Sequence, residues 1–428
     1  MRSLVACLAL FVATVAQARV DIQHWTTPSG ARVYFVESRA LPIIDVQLDF
    51  AAGSAYDPPG KSGLAGMVAA QLDTGAGDLD EEQIAGRWVD LGARYSAGAD
   101  ADRASLSLRT LATPAERDGS LALLHTLLAA PKFPAAALDR ERARAIAQLE
   151  DAETKPDTVA ARRFTAAIYP DHPYGIVTSV ASLRAIGRDD LVAFHKTYFG
   201  AKNAAISIIG DISRTEAEGI AQRLSDGLPA ADPPAALPSV TLPASNTFRV
   251  AHPATQAHIE IGMPGYARGD PDSFPLLVGN YVLGGGGFVS RLMQEVREKR
   301  GLVYDVHSYF APQKLAGPFQ IGLQTRREQS VEAVKLVDAT LAAFLRDGPT
   351  AAEINAAKQF LADGFALRLD SNAKLLGFVA MVGFYGLPLS WIDDYPKNVA
   401  AVSAAQVKAA FARHVQPEHL VTVIVAGD

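Results

Sequence analysis

Cysteine is almost absent: Cys7 is the only one in 428 residues. It stands in a segment read below as removable, so disulfide frameworks, thiolate metal clusters and thiol nucleophiles are excluded from the mature chain. An excess of positive charge is also missing. The formal net charge is -6 and the pI about 5.9, which offers no field for nucleic acid. No apolar run reaches the ~20 residues that a bilayer-spanning helix needs. The longest temptation, residues 375–392, is broken by Gly377, Gly383, Gly386 and Pro388, and reads as a buried helix ending in a turn. No two of the nine histidines are spaced i, i+3 or i, i+4, so no helix face offers paired imidazoles to a metal. The Gly-x-Ser-x-Gly elbow of serine hydrolases is lacking. The run at 284–287 is four glycines without the Lys-Ser/Thr ending of a phosphate loop, and suits a sharp turn or a close backbone approach.

What is present begins with an export-like N-terminus. Arg2, an apolar run over 4–13 and the small-residue site Ala16-Gln17-Ala18 predict a signal peptide at 1–18 and a periplasmic location. Leu4-Val5-Ala6-Cys7 has the composition of a lipoprotein box, but it opens the apolar run instead of following it, so lipidation is not expected.

The chain is one unit written twice. FHKTYFGAKNAAISIIGD, ending at Asp211, aligns without a gap on FARHVQPEHLVTVIVAGD, ending at Asp428. Each copy reads as a helix end, a polar turn, an alternating strand and a final Gly-Asp. Each half opens with a strand (43–51 and 258–263), then a Gly-containing turn, then a helix, and continues into Ala-rich helical sequence. Residues 228–243 hold five prolines and no helical period, the composition of a semi-extended linker. The expected domains are therefore 19–227 and 244–428. Strands and helices do not strictly alternate, which predicts an α+β fold: two tandem homologous domains, each an antiparallel-rich mixed sheet with helices on one side.

Two groups could carry chemistry. His172 sits in Tyr-Pro-Asp-His-Pro-Tyr-Gly, a loop where a structural role outweighs ligation. Arg297-Glu298-Lys299-Arg300-Gly301-Leu302-Val303-Tyr304 reads as a helix end, a glycine stop and the start of a strand over 303–310. That turn can bring the fork of donors on Arg297 and the phenol of Tyr304 toward one point, which suits a carbonyl or a developing oxyanion. Residue types alone favour the plainer reading, an arginine at a helix terminus and a tyrosine in a sheet.

Gly53-Ser54, Pro59-Gly60-Lys61-Ser62-Gly63-Leu64-Ala65, Leu91-Gly92-Ala93 and Arg297-Glu298-x-x-Gly301-Leu302-x-Tyr304 resemble landmarks of the pitrilysin/insulinase family of metallopeptidases, in order and spacing. The resemblance, which includes the duplication, covers essentially the whole mature chain and implies half of a clam-like shell. Active members carry His-x-x-Glu-His on the first helix and a glutamate on a later one. Here the three ligand positions read Gly66, Ala70 and Ala147, and the general-base position reads Ala69. Glu150 is one turn from Ala147 and does not replace the missing ligand. The resemblance thus implies no zinc in this chain. It further implies a zinc-bearing homologous partner subunit, as in mitochondrial processing peptidase, with Arg297 and Tyr304 completing that partner's site around an extended peptide. A non-catalytic scaffold like the core subunits of respiratory complexes is the alternative that the fold implies.

Overall fold

The computed structural model describes residues 19–427; the signal-like segment with Cys7, and Asp428, lie outside the described residues. In chain order the first half contains β1 (Gln23–Thr26), β2 (Arg32–Glu37), β3 (Ile43–Phe50), a small hairpin of β4 (Gly75–Ala76) and β5 (Leu79–Asp80), β6 (Arg94–Ala99), β7 (Ala104–Leu111) and β8 (Ala204–Gly210). The second contains β9 (Asn246–Ala251), β10 (Gln256–Pro264), β11 (Val303–Phe310), β12 (Pro318–Arg326) and β13 (Val421–Ala426).

The two large sheets repeat one topology. The first has the order β1-β2-β8-β3-β7-β6 and the second the order β11-β12-β10-β13-β9. In each, the strand that closes the half pairs parallel with an early strand, β8 with β2 and β13 with β9. It pairs antiparallel with the next, β8 with β3 and β13 with β10. The remaining pairs are antiparallel. The fold is α+β with two tandem units of antiparallel-rich mixed sheet, and the closing strands are those of the aligned copies. β8 is buried on both faces, as is most of β13, which explains why both read as near-continuous apolar runs.

Each half's own helices cover one face of its sheet. In the first half Val33, Phe35, Val46, Leu48 and Ile208 meet Leu64 and Val68 of the helix Leu64–Ala69 and Leu121 and Leu124 of Pro114–Ala129. The opposite face receives a helix from the other half. Asn372–Tyr385 lies across β2, β3 and β8, and Pro156–Ile168 lies across β10 and β13. The exchange is reciprocal and close. Gly383 sits so near Tyr34 that a Cβ there would stand 2.6 Å from the ring, and Gly262 of β10 leaves room for the Phe164 ring. Arg32 donates to the Gly383 carbonyl at 3.0 Å. Phe164, Ile168, Val421, Val423 and Val425 form one buried cluster, each such side chain contributing ~1.5–3 kcal/mol by leaving water. Residues 375–385 are thus a buried helix, stopped by Gly386 in the left-handed conformation (φ 68°).

A polar latch joins the halves beside this exchange. The buried Asp102 carboxylate accepts from the hydroxyl of Tyr174, from the Tyr385 hydroxyl at 2.9 Å and from the Lys314 backbone N–H at 2.8 Å. Residues 227–245, between the helix Arg214–Ser225 and β9, contain no helix or strand.

Candidate functional site

The helix Leu64–Ala69 starts at Gly63, whose φ of 101° favours glycine. Its first N–H groups are satisfied by a carboxylate upstream: Asp57 accepts from the Gly63 N–H at 2.7 Å and the Ala65 N–H at 2.8 Å. Burial pushes the Asp57 carboxyl up to about 6, against the pull of those N–H groups. The helix Ala135–Ala152 packs against it. Gly66, Ala70 and Ala147 are exposed, and a Cβ on Gly66 would meet nothing within 4 Å. The position where a metal would sit is sterically open and chemically empty of donors. Ala69 is buried and offers no base. These residues do not fit a zinc ion, and no step is derived through one held by this chain.

Among the described residues, one group of three potential ligands occurs elsewhere, Asp270, Asp272 and His414. It is a salt-bridge cluster. Arg413 donates to both Asp272 oxygens at 2.8 and 2.7 Å and holds that carboxyl below its usual range, and His414 lies 3.1 Å from Asp272. His172 is likewise structural: buried, its Nδ1 accepts from the Tyr174 N–H at 3.1 Å and its Nε2 lies 2.9 Å from the Pro238 carbonyl.

Arg297 and Tyr304 are brought together. Met293–Glu298 is wound as a π-helix, and the Ser290 hydroxyl accepts from the Met293 N–H at 3.4 Å. Gly301 (φ 61°) ends it, donating to the Arg297 carbonyl at 2.7 Å, and β11 begins two residues later. The pairing of β11 with β12 slips between Val303 and Val306, a bulge that lifts Tyr304 out of the ladder. Tyr304 is 83% exposed. The Arg297 Cζ stands 5.0 Å from the Tyr304 ring centre and 4.7 Å from that of Phe288, so its guanidinium is held against two rings. Its nearest carboxylate is the adjacent Glu298, at 3.7 Å. Phe288 and Val289 are 64% and 60% exposed. They follow the glycine run, where a Cβ on Gly284 would lie 2.4 Å from the Ser308 Oγ of β11. The glycines therefore permit a close backbone approach that places Phe288 beside Arg297. Phe288 was not singled out from sequence; a large exposed ring next to four glycines was the available signal.

The chain matches two family models in succession: "Insulinase (Peptidase family M16)" over residues 32–180 and "Peptidase M16 inactive domain" over 185–361. A solved structure from Pseudomonas fluorescens titled a peptidase M16 inactive domain is 37% identical, with a TM-score of 0.92, covering 96% of this chain and 98% of that one. A Helicobacter pylori relative called "Non-peptidase homolog YmxG" is 23% identical over 100% of this chain and 99% of its own length. A Streptomyces coelicolor relative called "Uncharacterized zinc protease SCO5738" is 27% identical over 64% of this chain, a match that spans 61% of the relative.

Proposed function

The chain belongs to the M16, or insulinase, family of peptidases, and from that premise we propose that it is the zinc-free subunit of a heterodimeric periplasmic peptidase. A homologous partner would contribute the His-x-x-Glu-His helix and its zinc; this chain would close the chamber. The observation that carries the proposal is the pairing of an erased metal site with a retained donor pair, Arg297 half-buried and Tyr304 exposed. Gly66, Ala69, Ala70 and Ala147 hold nothing, whereas Arg297 is stacked in place beside a solvent-facing Tyr304 hydroxyl.

The chemistry assigned to the pair is hydrogen-bond donation to the substrate carbonyl. A guanidinium held against two rings needs little reorganisation as negative charge grows on that oxygen, and the phenol adds a second donor. An extended peptide would add to an open sheet edge through backbone hydrogen bonds. β6 and β11 are such edges, each paired on one side only.

A second reading, a non-catalytic scaffold, is favoured by the name of the Helicobacter pylori relative. One experiment separates the two. The chain is assayed alone and mixed with a zinc-bearing homologue from the same genome, on a quenched unstructured peptide. Chelator-sensitive cleavage in the mixture only is expected. A stable complex that cleaves nothing would replace the peptidase reading with the scaffold. Chelator-sensitive cleavage by the chain alone would overturn the reading of the vacant ligand positions.

A further inference from the structure

A cavity of about 260 Å³ lies between the exchanged helix Asn372–Tyr385, the helix Ser273–Asn280 and the helix Trp391–Ala401. Aromatic rings wall it: Phe274, Phe378, Trp391 and Tyr395. Phe274 and Trp391 stack 6.1 Å apart, and Trp391 and Phe378 are separated by the same distance. The volume falls below the ~300–1,000 Å³ of pockets for drug-sized molecules, which suits one bulky side chain.

The charged groups in this wall are all cationic. Arg268 and Arg368 line it, and no carboxylate does. The Arg268 Nε is buried and has no hydrogen-bond partner. So is the hydroxyl of Tyr395, a residue only 3% exposed. A buried donor without an acceptor is costly. Both residues line one aromatic cavity, and its lining complements an acceptor that carries negative charge and an apolar body.

Arg268, Pro312, Phe378 and Met381 also line a second, more open trough of about 460 Å³, whose lining includes Lys374, Tyr385 and Arg103 together with the carboxylates of Asp100 and Asp102. A ligand whose carboxylate sits on Arg268 therefore has room to continue as a chain. We propose that this cavity binds the C-terminal residue of a peptide, its free carboxylate on Arg268 and Tyr395 and its bulky apolar side chain among the rings. The carboxylate part of this assignment stands on the cavity's own chemistry, and the peptide part rests on the proposed function.

The test is binding to the single full-length chain, without partner or turnover, so a failed peptidase reading would not disturb it. A dye-labelled hexapeptide ending in phenylalanine is titrated by fluorescence anisotropy, as the free acid and as the C-terminal amide. The free acid is expected to bind roughly tenfold or more tightly, and Arg268→Met to abolish that preference. Tyr395→Phe keeps the ring packing and is expected to weaken the free acid alone, which leaves the proposal testable if Arg268→Met does not fold. Equal binding of acid and amide, or a preference that survives both substitutions, would overturn the carboxylate site. 3-Phenylpropionate competing as strongly as the unlabelled peptide would overturn the peptide and leave a small-acid site.

Discussion

Arg297 is held against Tyr304, its guanidinium carbon 5.0 Å from the ring centre, and against Phe288 at 4.7 Å. The ring of Tyr304 thus has a structural duty separate from its hydroxyl, which faces solvent. Tyr304→Phe keeps the first and deletes the second. Thermal stability and complex assembly should be unchanged, while turnover of the assembled complex falls roughly a hundredfold or more, the scale of losing one oxyanion donor. Unchanged turnover in a correctly assembled complex would remove the hydroxyl from the reaction.

Close packing at the exchanged helices gives a stability test. A Cβ on Gly383 would stand 2.6 Å from the Tyr34 ring, itself buried and stacked on His24 at 4.4 Å. Gly383→Ala should cost about 1–3 kcal/mol through overpacking. Gly262→Ala should cost more, because its Cβ would lie 2.0 Å from the Phe319 carbonyl oxygen. Gly377→Ala, on the same helix as Gly383 but in open space, should gain about 0.5–1 kcal/mol. Urea midpoints measure all three, and equal effects at 383 and 377 would argue against the tight seating of this helix.

His195 supplies a pH dependence. The ring is buried, its Nε2 lies 2.9 Å from the Leu128 carbonyl, and burial lowers its pKa to about 4. The unfolded chain therefore binds this proton at higher pH than the folded one does. The stabilisation is complete above the unfolded value of ~6.5 and is lost as pH falls toward 4. Its full size is on the order of 3 kcal/mol. Wild type should lose stability over that window more steeply than His195→Gln, by chemical denaturation at several pH values. Parallel pH profiles would show that His195 is not the group responsible.

Much of this fold is legible in the residues. The aligned copies ending at Asp211 and Asp428 mark the closing strands, and the strand expected over 303–310 is β11 to the residue. The glycine stop at Gly301 and the turn at Gly386 follow from backbone conformations that glycine favours. The exchange of helices is not legible. Ala160, Phe164 and Ile168 form an apolar stripe that could face either sheet, because periodicity names a buried side and never its partner. The contact of Phe288 with Arg297 and the shared cavity of Arg268 and Tyr395 are hidden for a related reason. Both arise from packing that no local spacing encodes, the second between residues in distant parts of the chain.

The reciprocal exchange also sets an order of events during synthesis. The first sheet has all its strands once Gly210 is made, yet the helix that covers its second face begins at Asn372. At ~5–20 residues per second, that face waits roughly ten to thirty seconds without its own cover. During synthesis the first half therefore carries an uncovered apolar sheet face that the finished protein no longer displays.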